Sequence, residues 1–509
     1  MSVNSSFASL GNGLSIRLKD VPELSLGDFA AGLIDGVKAG KRVSSLFGSQ
    51  AEGRDGTVLY AILADDARNS LEVASAVVKG DGFESMTPAC PQVHLFEREI
   101  AEQYGLRPEG HPWLKPVRWQ RSRTGRDAWQ RPSDEALLPA VGDFYRVEGE
   151  EVHEVAVGPV HAGVIEPGHF RFQCNGEKVF HLEIALGFQH RGIERAMEGG
   201  PSIRSLHYAE TAAGDTTIGH GTAYCHVVEA LSGYRTTVHS HIVRGIALEL
   251  ERIANHVGDL GAIAGDVGYL PTSSFCGRIR GDVLNMTALL CGNRFGRGLV
   301  RPGGLRYELE EDRAGELRKR IETAEREIAE AVGLLWDDGS VMARLEETGT
   351  VSRETAVELG LVGPAARASG LARDVRYDQP SGIFRFSQLP VSTCDSGDVF
   401  ARAYVRNLEI QRSIAFIKEQ LGNLPPPQPS APMGGIEPDR LAVSLAEGWR
   451  GEICHVAITD GNGAFSRYKI VDPSFHNWFG LAMALRNQEI SDFPLCNKSF
   501  NLSYCGHDL

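Results

Sequence analysis

The sequence has no long apolar segment. No stretch approaches the uninterrupted run of about 18 apolar residues that a transmembrane helix needs. Residues Met1 to Ser6 carry neither the charged region nor the apolar region of a signal peptide. We therefore expect the chain to fold in the cytoplasm and to meet a membrane only through a partner protein.

An excess of positive charge is also absent, as are nucleotide-binding loops. The 66 acidic residues outnumber the 52 lysines and arginines, which gives a net charge of -14, whereas a nucleic-acid-binding protein normally has a basic footprint. We find no Walker A sequence and no G-x-G-x-x-G motif followed by a helix. The sequence therefore predicts a protein that binds neither nucleic acid nor nucleotide.

Paired cysteines are missing as well. Nine cysteines are scattered along the chain, and no two have C-x-x-C spacing. An odd, scattered set in a long cytoplasmic chain does not indicate a disulfide framework. We expect most of these cysteines to be buried as small apolar residues.

The pattern along the 509 residues predicts two parts. Residues 1 to about 120 are typical of a small α/β domain, with strands over 43–47 and 57–63 and a helix over 93–104 that Gly105 would end. The polar, arginine-rich stretch 119–148 is the predicted linker. A solvated loop within a single domain is the alternative interpretation of that stretch.

The remainder of the chain is mostly helical in pattern. Helices are predicted over 238–256, half-buried, and over 317–336 and 398–422. Two apolar runs around Asp460-Gly461-Asn462-Gly463 predict a β-hairpin within 452–471. The predicted fold is therefore α+β, with a small α/β domain over 1–148 and a mostly helical domain with a small β portion over 149–509.

Several segments resemble one superfamily, in the order in which that superfamily has them. Phe96-Glu97-Arg98-Glu99-Ile100, followed by Gly110-His111-Pro112, resembles the thirty-kilodalton-type subunit of respiratory complex I. Segments 158–172, 186–194, 249–256 and 472–478 resemble the complex I quinone-site subunit and the large subunit of NiFe hydrogenases. The fused arrangement resembles the large subunit of formate hydrogenlyase and hydrogenase-4 type membrane complexes. The resemblance covers nearly the whole chain and implies the fold just described.

Two further segments resemble the nickel-ligand motifs of these hydrogenases without their cysteines. Segment 210–220 resembles Cys-Gly-x-Cys-x-x-x-His, with Ala213 and Thr216 at the cysteine positions. Segment 499–509 resembles Asp-Pro-Cys-x-x-Cys, with Ser503 and Gly506 there. A soft metal such as nickel is held by thiolates, which a hydroxyl or a missing side chain cannot replace. The sequence therefore predicts the hydrogenase fold with its nickel site lost and with no hydrogen chemistry.

Four polar residues near these motifs are the candidate site residues. The resemblance implies that Glu166 matches a proton-relay glutamate, that His220 matches the histidine after the first cysteine pair, and that Arg450 matches an arginine overhanging the metal. Asp215 lies between two former ligand positions. We expect the four to surround one cavity and Arg450 to neutralise Asp215 or Glu166. Structural roles for each residue are the alternative.

The quinone partners of complex I are also replaced in this sequence. By resemblance, the histidine position falls on Pro167 and the tyrosine position falls on Gly214. A quinone in the cleft therefore lacks both headgroup contacts, and it stays an open alternative.

The resemblance implies a function and a set of partners. It implies a peripheral-arm subunit of a membrane-bound, hydrogenase-related oxidoreductase complex, active in electron transfer or coupling. No cofactor is expected on this chain, and a [4Fe-4S] cluster is expected in an adjacent small iron–sulfur subunit. Antiporter-like and other integral membrane subunits would hold the chain on the cytoplasmic side of the inner (plasma) membrane. A quinone-reducing subunit of the NADH–quinone oxidoreductase type and a non-catalytic scaffold are the alternatives.

Overall fold

The computed structural model describes residues 7–50, 55–132, 135–161, 165–429 and 431–509. Met1 to Ser6, on which the leader prediction depends, lie outside the described residues. The described part combines a β-rich N-terminal region with a mostly helical C-terminal region, which confirms the predicted α+β class.

The N-terminal region is built on a five-stranded sheet. Its strand order is β1-β6-β5-β4, antiparallel throughout, and β3 adds to β6 in parallel. The predicted strands and helix are confirmed, and Gly105 ends α2 with a φ of 71°. The elements are β1 (Ala8–Leu10), β2 (Leu14–Arg17), β3 (Glu23–Leu24), α1 (Leu26–Lys38), β4 (Arg42–Ser49), β5 (Thr57–Asp65), β6 (Ser70–Val78), β7 (Gly82–Glu84), α2 (His94–Tyr104) and β8 (Arg107–Glu109).

Two further sheets lie in the C-terminal region. One has the order β11-β10-β9, and the other has the order β16-β15-β14-β2, so that β2 from the N-terminal region completes it. The β15–β16 pair is the hairpin predicted around Asp460–Gly463. The strands are β9 (His153–Val157), β10 (His169–Asn175), β11 (Lys178–Ala185), the short pair β12 (Val300–Arg301) and β13 (Gly304–Leu305), β14 (Arg440–Gly448), β15 (Gly451–Thr459) and β16 (Phe465–Val471).

Helices make up the rest of this region, and the helix Val238–Asp266 lies at its centre between Leu270–Cys291 and Val399–Gly422. The three long predicted helices correspond to Val238–Asp266, Glu311–Trp336 and Val399–Gly422. The helices are α3 (Ile193–Met197), α4 (Ser205–Glu210), α5 (Thr217–Leu231), α6 (Val238–Asp266), α7 (Leu270–Cys291), α8 (Glu311–Trp336), α9 (Gly339–Leu345), α10 (Arg353–Leu359), α11 (Gly363–Ala368), α12 (Val375–Asp378), α13 (Val399–Gly422), α14 (Pro473–Ala484), α15 (Phe493–Phe500) and α16 (Tyr504–Asp508). Short 3₁₀ turns cover Leu18–Asp20, Asp66–Arg68, Pro91–Val93, Gly382–Arg385 and Ile490–Asp492.

Helix α6 differs from its prediction in length and burial. It runs to Asp266, ten residues beyond the predicted end. It is buried on nearly every side rather than on one, because other elements cover its charged positions as well as its apolar ones. Its charged residues therefore need partners inside the protein.

Those partners form a buried ion network in which α6, α11, α13 and β14 meet. The side chain of Glu409 forms ion pairs with Arg252 and, at 2.7 Å, with Arg367. Arg367 also lies 2.8 Å from Glu447, and Arg252 donates to the carbonyl of Gly448 at 2.7 Å. Burial favours a neutral Glu409, but the two arginines hold the pKa of its carboxyl well below the usual value. The network thus fixes the end of β14 against three helices.

A second set of buried ion pairs joins the N-terminal and C-terminal regions. Arg42 of β4 forms an ion pair with Glu452 of β15. Lys469 of β16 lies 2.7 Å from Glu99 of α2. Together with the β2–β14 pairing, these contacts make the junction a buried interface.

The stretch 119–148 was predicted to be a polar linker, but its first half is partly buried in the structure. Gln120 and Asp127 are buried, because Gln120 donates its backbone N–H to Glu102 and Asp127 accepts from Arg131. The stretch 135–150 is mostly exposed. The domain boundary at residue 148 stays a prediction.

None of the helices in the described ranges is both long enough and apolar enough to cross a lipid bilayer.

We expect brief trypsin treatment to cut first after Arg146, which is exposed in a stretch without regular structure. The carbonyl of Arg126 accepts hydrogen bonds from the hydroxyls of Ser122 and Thr124, so that this site should resist cleavage. The two fragments should still elute together, because the junction between the regions is buried. Intact mass and size-exclusion chromatography test both points, with Arg146→Gln as the control. Separation of the fragments would contradict the buried junction.

Candidate functional site

The two segments that resemble nickel-ligand motifs lie against each other. The loop between α4 and α5 carries Ala213 and Thr216, and the last turn of the chain carries Ser503 and Gly506. A Cβ atom built on Gly506 would lie 3.0 Å from the Cβ of Ala213. All four residues are buried. The fold therefore brings the former ligand positions together across about 290 residues of sequence.

These four residues do not fit a nickel ion. The hydroxyl of Thr216 donates to the Gly214 carbonyl at 3.0 Å, and the hydroxyl of Ser503 accepts from the Gly506 N–H at 2.9 Å. A side chain on Gly506 would meet Asp472, whose Cγ lies 2.7 Å from the built Cβ. No three His, Cys, Asp or Glu side chains in the described ranges are placed to hold a metal ion. The hydroxyl oxygens of Thr216 and Ser503 are already hydrogen-bonded, and Asp472 occupies the space beside Gly506. These positions therefore offer nickel no soft ligand.

The two nearby thiols do not replace the missing ligands. Cys505 is half-buried, and its Sγ lies 3.4 Å from the hydroxyl of Ser503. Burial raises the pKa of the Cys505 thiol, and the neighbouring Glu166 carboxylate raises it further. Burial raises the pKa of Cys225, inside α5, well above its usual value. Both side chains are therefore neutral thiols at neutral pH.

A chain of buried polar side chains runs inward from the former metal position. Asp472 Oδ2 lies 3.0 Å from His220 Nε2, His220 Nδ1 lies 3.0 Å from His455 Nε2, and His455 Nδ1 lies 2.8 Å from the hydroxyl of Tyr468. All four side chains are almost wholly buried. The other oxygen of Asp472 accepts the backbone N–H of Ser474 at 2.8 Å and so caps α14.

The environment of each group decides where a proton can reside in this chain. Burial lowers the pKa of His455 well below its usual value, with His220 adding to the effect, and burial raises that of Tyr468 well above its own. Burial also favours a neutral Asp472, but the hydrogen bond and charge of His220 bring the pKa of this carboxyl below its usual value. At neutral pH, His455 and Tyr468 therefore stay neutral and the Asp472 carboxyl stays ionised.

Arg450 lies where the resemblance placed it but has different partners from those expected. It donates through Nε to the carbonyl of Asn501 at 2.6 Å and through Nη1 to that of Gly214 at 3.0 Å. Its guanidinium stacks on the indole of Trp449, whose Nε1 donates to Thr216 Oγ1 at 3.1 Å. The expectation that Arg450 neutralises Asp215 or Glu166 is therefore wrong. Arg450 instead ties the two former ligand segments together through their carbonyls.

Asp215 and Glu166 lie at the outer side of this arrangement. Asp215 forms an ion pair with Arg280 at 3.1 Å, and both side chains are partly exposed. Glu166 is half-buried and accepts the backbone N–H of Tyr504 at 3.3 Å. All four predicted residues thus border the segment 501–506 or the loop opposite it, but they form no single polar cluster.

Sequence reasoning missed two acidic residues of this region. In the sequence, Asp472 is only the first residue of the family segment 472–478, and Glu251 is only one residue of the segment 249–256. Glu251 accepts the backbone N–H groups of Ile218 and Gly219, at 2.7 and 3.1 Å, at the start of α5. Burial raises the pKa of Glu251 to about 8 despite these hydrogen bonds. Because α6 carries several charged residues, no local signal distinguishes Glu251, whose partners are backbone N–H groups of another helix.

We expect Glu251 to make the stability of the protein depend on pH. Its folded-state pKa of about 8 exceeds the ordinary value of 4.5, so its contribution is fully present below about pH 4.5 and is lost as pH rises through about 8. In Glu251→Gln, the side chain stays neutral at every pH. The melting temperature of this variant relative to the wild type should therefore rise from about pH 5 to about pH 9, by an amount equivalent to at least about 1 kcal/mol. A pH-independent difference would show that Glu251 is ionised in the folded protein.

Comparison with known proteins agrees with this geometry. Residues 21–128 match the family model of the respiratory-chain NADH dehydrogenase 30 Kd subunit, and residues 266–437 match that of the 49 Kd subunit. Formate hydrogenlyase subunit 5 of Escherichia coli is 28% identical over 485 residues, which are 92% of this chain and 84% of that protein. The carbon monoxide-induced hydrogenase of Rhodospirillum rubrum is 30% identical over 354 residues, 69% of this chain and 97% of that protein.

A relative of the complex I branch is similar to the same degree. NADH-quinone oxidoreductase subunit 4 of Thermus thermophilus is 28% identical over 369 residues, 67% of this chain and 90% of that protein. The chain belongs to the superfamily of NiFe-hydrogenase large subunits and complex I 49-kilodalton subunits, with a 30-kilodalton-type domain fused at its N-terminal side.

Proposed function

We propose that the chain is a peripheral-arm subunit of a membrane-bound, hydrogenase-related oxidoreductase complex, in which it accepts and returns a proton without hydrogen chemistry. The observation that carries this proposal is the buried Asp472–His220 pair, which lies against Gly506 at the position where the family holds nickel. No thiolate is available for a metal there, but a buried carboxylate and imidazole in hydrogen-bond contact are. The chemistry that this arrangement supports is proton transfer coupled to electron transfer elsewhere in the complex.

We propose that the electrons pass through an adjacent small subunit that carries a [4Fe-4S] cluster, because no three His, Cys, Asp or Glu side chains of the described residues are placed to hold a metal ion. A negative charge gained nearby favours the protonated form of a buried carboxylate. We propose that the Asp472–His220 pair takes up a proton when the partner is reduced and releases it on reoxidation. The partly exposed residues Asp215, Arg280 and Cys505 border this site and mark the face on which we propose the small subunit docks.

Membrane association is proposed from the relatives. Among them are a membrane-bound hydrogenase subunit alpha and a hydrogenase-4 component. We propose that antiporter-like and other integral membrane subunits hold this chain peripherally on the cytoplasmic side of the inner membrane. Glu166, half-buried beside Tyr504, is proposed as the outer group through which protons reach the site.

A quinone-reducing function is the second candidate, because relatives named NADH-quinone oxidoreductase subunits match two thirds of the chain. The site does not favour it, since Pro167 and Gly214 occupy the positions of the two headgroup partners. A non-catalytic scaffold is the third candidate. Quinone reduction by the purified complex, measured with and without a quinone-site inhibitor, separates the second candidate from the first.

We expect the purified complex to hold no nickel on this chain. The physical reason is the absence of all four thiolates and the filled space beside Gly506. Elemental analysis of protein expressed together with nickel-maturation proteins should give far less than one nickel per chain, and the complex should neither evolve hydrogen nor exchange it with deuterium. Stoichiometric nickel would refute the proposal.

We expect Asp472→Asn to impair turnover of the complex by at least about tenfold while the fold is kept. Asparagine can keep the cap of α14 through its oxygen while its NH2 group donates to His220 Nε2, but it cannot take up a proton. The matched control is Asp312→Asn, which removes an exposed carboxylate of α8 outside this site. Glu166→Gln should slow turnover if Glu166 delivers the protons, with a shift in the pH profile. Wild-type turnover of Asp472→Asn would leave only the scaffold function.

A further inference from the structure

A cleft that is lined in part by His507 of the C-terminal segment has the size of a small-molecule site. Its volume is about 400 Å³, within the range of about 300–1,000 Å³ that is typical of ligand pockets. Helix α2, the segment 112–119, β11 and α14 form its walls. We call it the α2–β11 cleft. None of the four candidate site residues lines it.

The walls of this cleft are aromatic, and the aromatic surface continues to its mouth. Trp119 and Trp478 line the interior. Trp113, Tyr145 and Phe479 are 39, 49 and 38% exposed, although each is a large apolar side chain. Clustered exposed aromatic residues around a cavity are typical of a surface that a flat ring covers.

One cation in the cleft has no acidic partner. Arg98 of α2 donates through Nε to the carbonyl of Lys115 at 2.8 Å and through one N–H of Nη2 to that of Pro116 at 2.9 Å. Its Nη1 donates to no residue in the described ranges, and no carboxylate of these ranges lies within ion-pair distance of it. Burial lowers the pKa of Arg98 to about 10, so it remains charged at neutral pH.

The other ionisable groups of the cleft do not neutralise this charge. Glu183 forms an ion pair with Lys115 and also accepts from the Trp113 indole and the Tyr145 backbone N–H. Burial lowers the pKa of His94 to about 3, and burial likewise lowers those of His181 and His507 below their usual value. The histidines are therefore neutral at pH 7. Glu183 is thus paired with Lys115, and Glu183 and Glu102 act on Arg98 only from beyond ion-pair distance, so that Arg98 is a cation of the lining without a direct acidic partner among the described residues.

We propose that the α2–β11 cleft binds a small, planar aromatic compound that carries a single negative charge. Its rings would lie among the tryptophan and phenylalanine side chains, and its anionic group would accept from the free Nη1 of Arg98. A flat ring satisfies the apolar walls, and one anionic group satisfies the one unpaired cation. The proposal is independent of the function proposed for the Asp472–His220 pair.

The test compares two fluorescent compounds that share the N-phenylnaphthylamine ring system. One, 8-anilinonaphthalene-1-sulfonate, carries a sulfonate, and the other, N-phenyl-1-naphthylamine, is uncharged. We expect the purified full-length protein to bind one sulfonate molecule per chain, with energy transfer from the tryptophans of the cleft. We expect the uncharged compound to bind at least about tenfold more weakly.

Arg98→Met should remove this preference, because it weakens binding of the sulfonate about tenfold or more and leaves binding of the uncharged compound unchanged. Arg98→Lys should retain most of the preference. Arg107→Met is the matched control, because it removes an exposed arginine of the same N-terminal region and should change neither affinity.

Phe479→Ala provides a second test that leaves Arg98 and its backbone hydrogen bonds in place. It should weaken binding of both compounds by the same factor, since it removes wall area and no charge. The proposal is overturned if the sulfonate does not bind at one site, if Arg98→Met leaves its affinity unchanged, or if Phe479→Ala affects neither compound. Circular dichroism and melting temperature confirm that each variant is folded.

Discussion

Burial of charge inside the helical region is the constraint on which the rest of this structure depends. Glu409 lies between Arg252 and Arg367, with all three side chains almost wholly buried, and Arg367 also forms an ion pair with Glu447 at the end of β14. Removing one partner from such a set leaves an uncompensated buried charge, at a cost of about 3–5 kcal/mol. The network therefore permits one arrangement of α6, α11, α13 and β14.

That arrangement places the candidate site. Because Arg252 holds the carbonyl of Gly448, the next two residues, Trp449 and Arg450, must leave β14 at a fixed point. Their side chains then reach Thr216 and the carbonyl of Asn501, which lie in the two former ligand segments. The ion network thus stands one layer behind the site and sets the distance between the two segments, with no metal needed to join them.

The periodic elements were predictable from sequence because their signals are local. The strands over 43–47 and 57–63, the hairpin around Asp460 and the end of α2 at Gly105 all follow from alternation, turn residues or a positive φ. The complete burial of α6 was not predictable. Its charged residues suggest a solvated face, whereas in the structure distant partners such as Glu409, Arg376 and Arg406 pair with those charges in the interior.

For the candidate site, the sequence predicted which segments meet but not which groups contact each other, because those groups are far apart in the chain. Motif positions carried over from the family correctly identified the segments that meet, but the partners of Arg450 are backbone carbonyls, which have no signature in sequence. The partner of His220 is Asp472, 252 residues away in the chain. Where the family's ligand cysteines are replaced, the side chains that occupy the space depend on how the surrounding elements pack. The family's ligand motifs do not identify those side chains.

The charge states open to the side chains of the Asp472–His220–His455–Tyr468 chain limit the chemistry of this site. A proton wire needs each member to carry the charge in turn, but burial keeps His455 from becoming a cation and Tyr468 from becoming an anion. Both side chains therefore hold His220 in one orientation and one tautomer, in the way that an outer ligand shell orients a metal-bound histidine. The proton transfer that we propose would therefore involve only Asp472 and His220, which are hydrogen-bonded to each other beside Gly506. A buried pair of this kind is suited to respond to a single charge arriving on a neighbouring subunit.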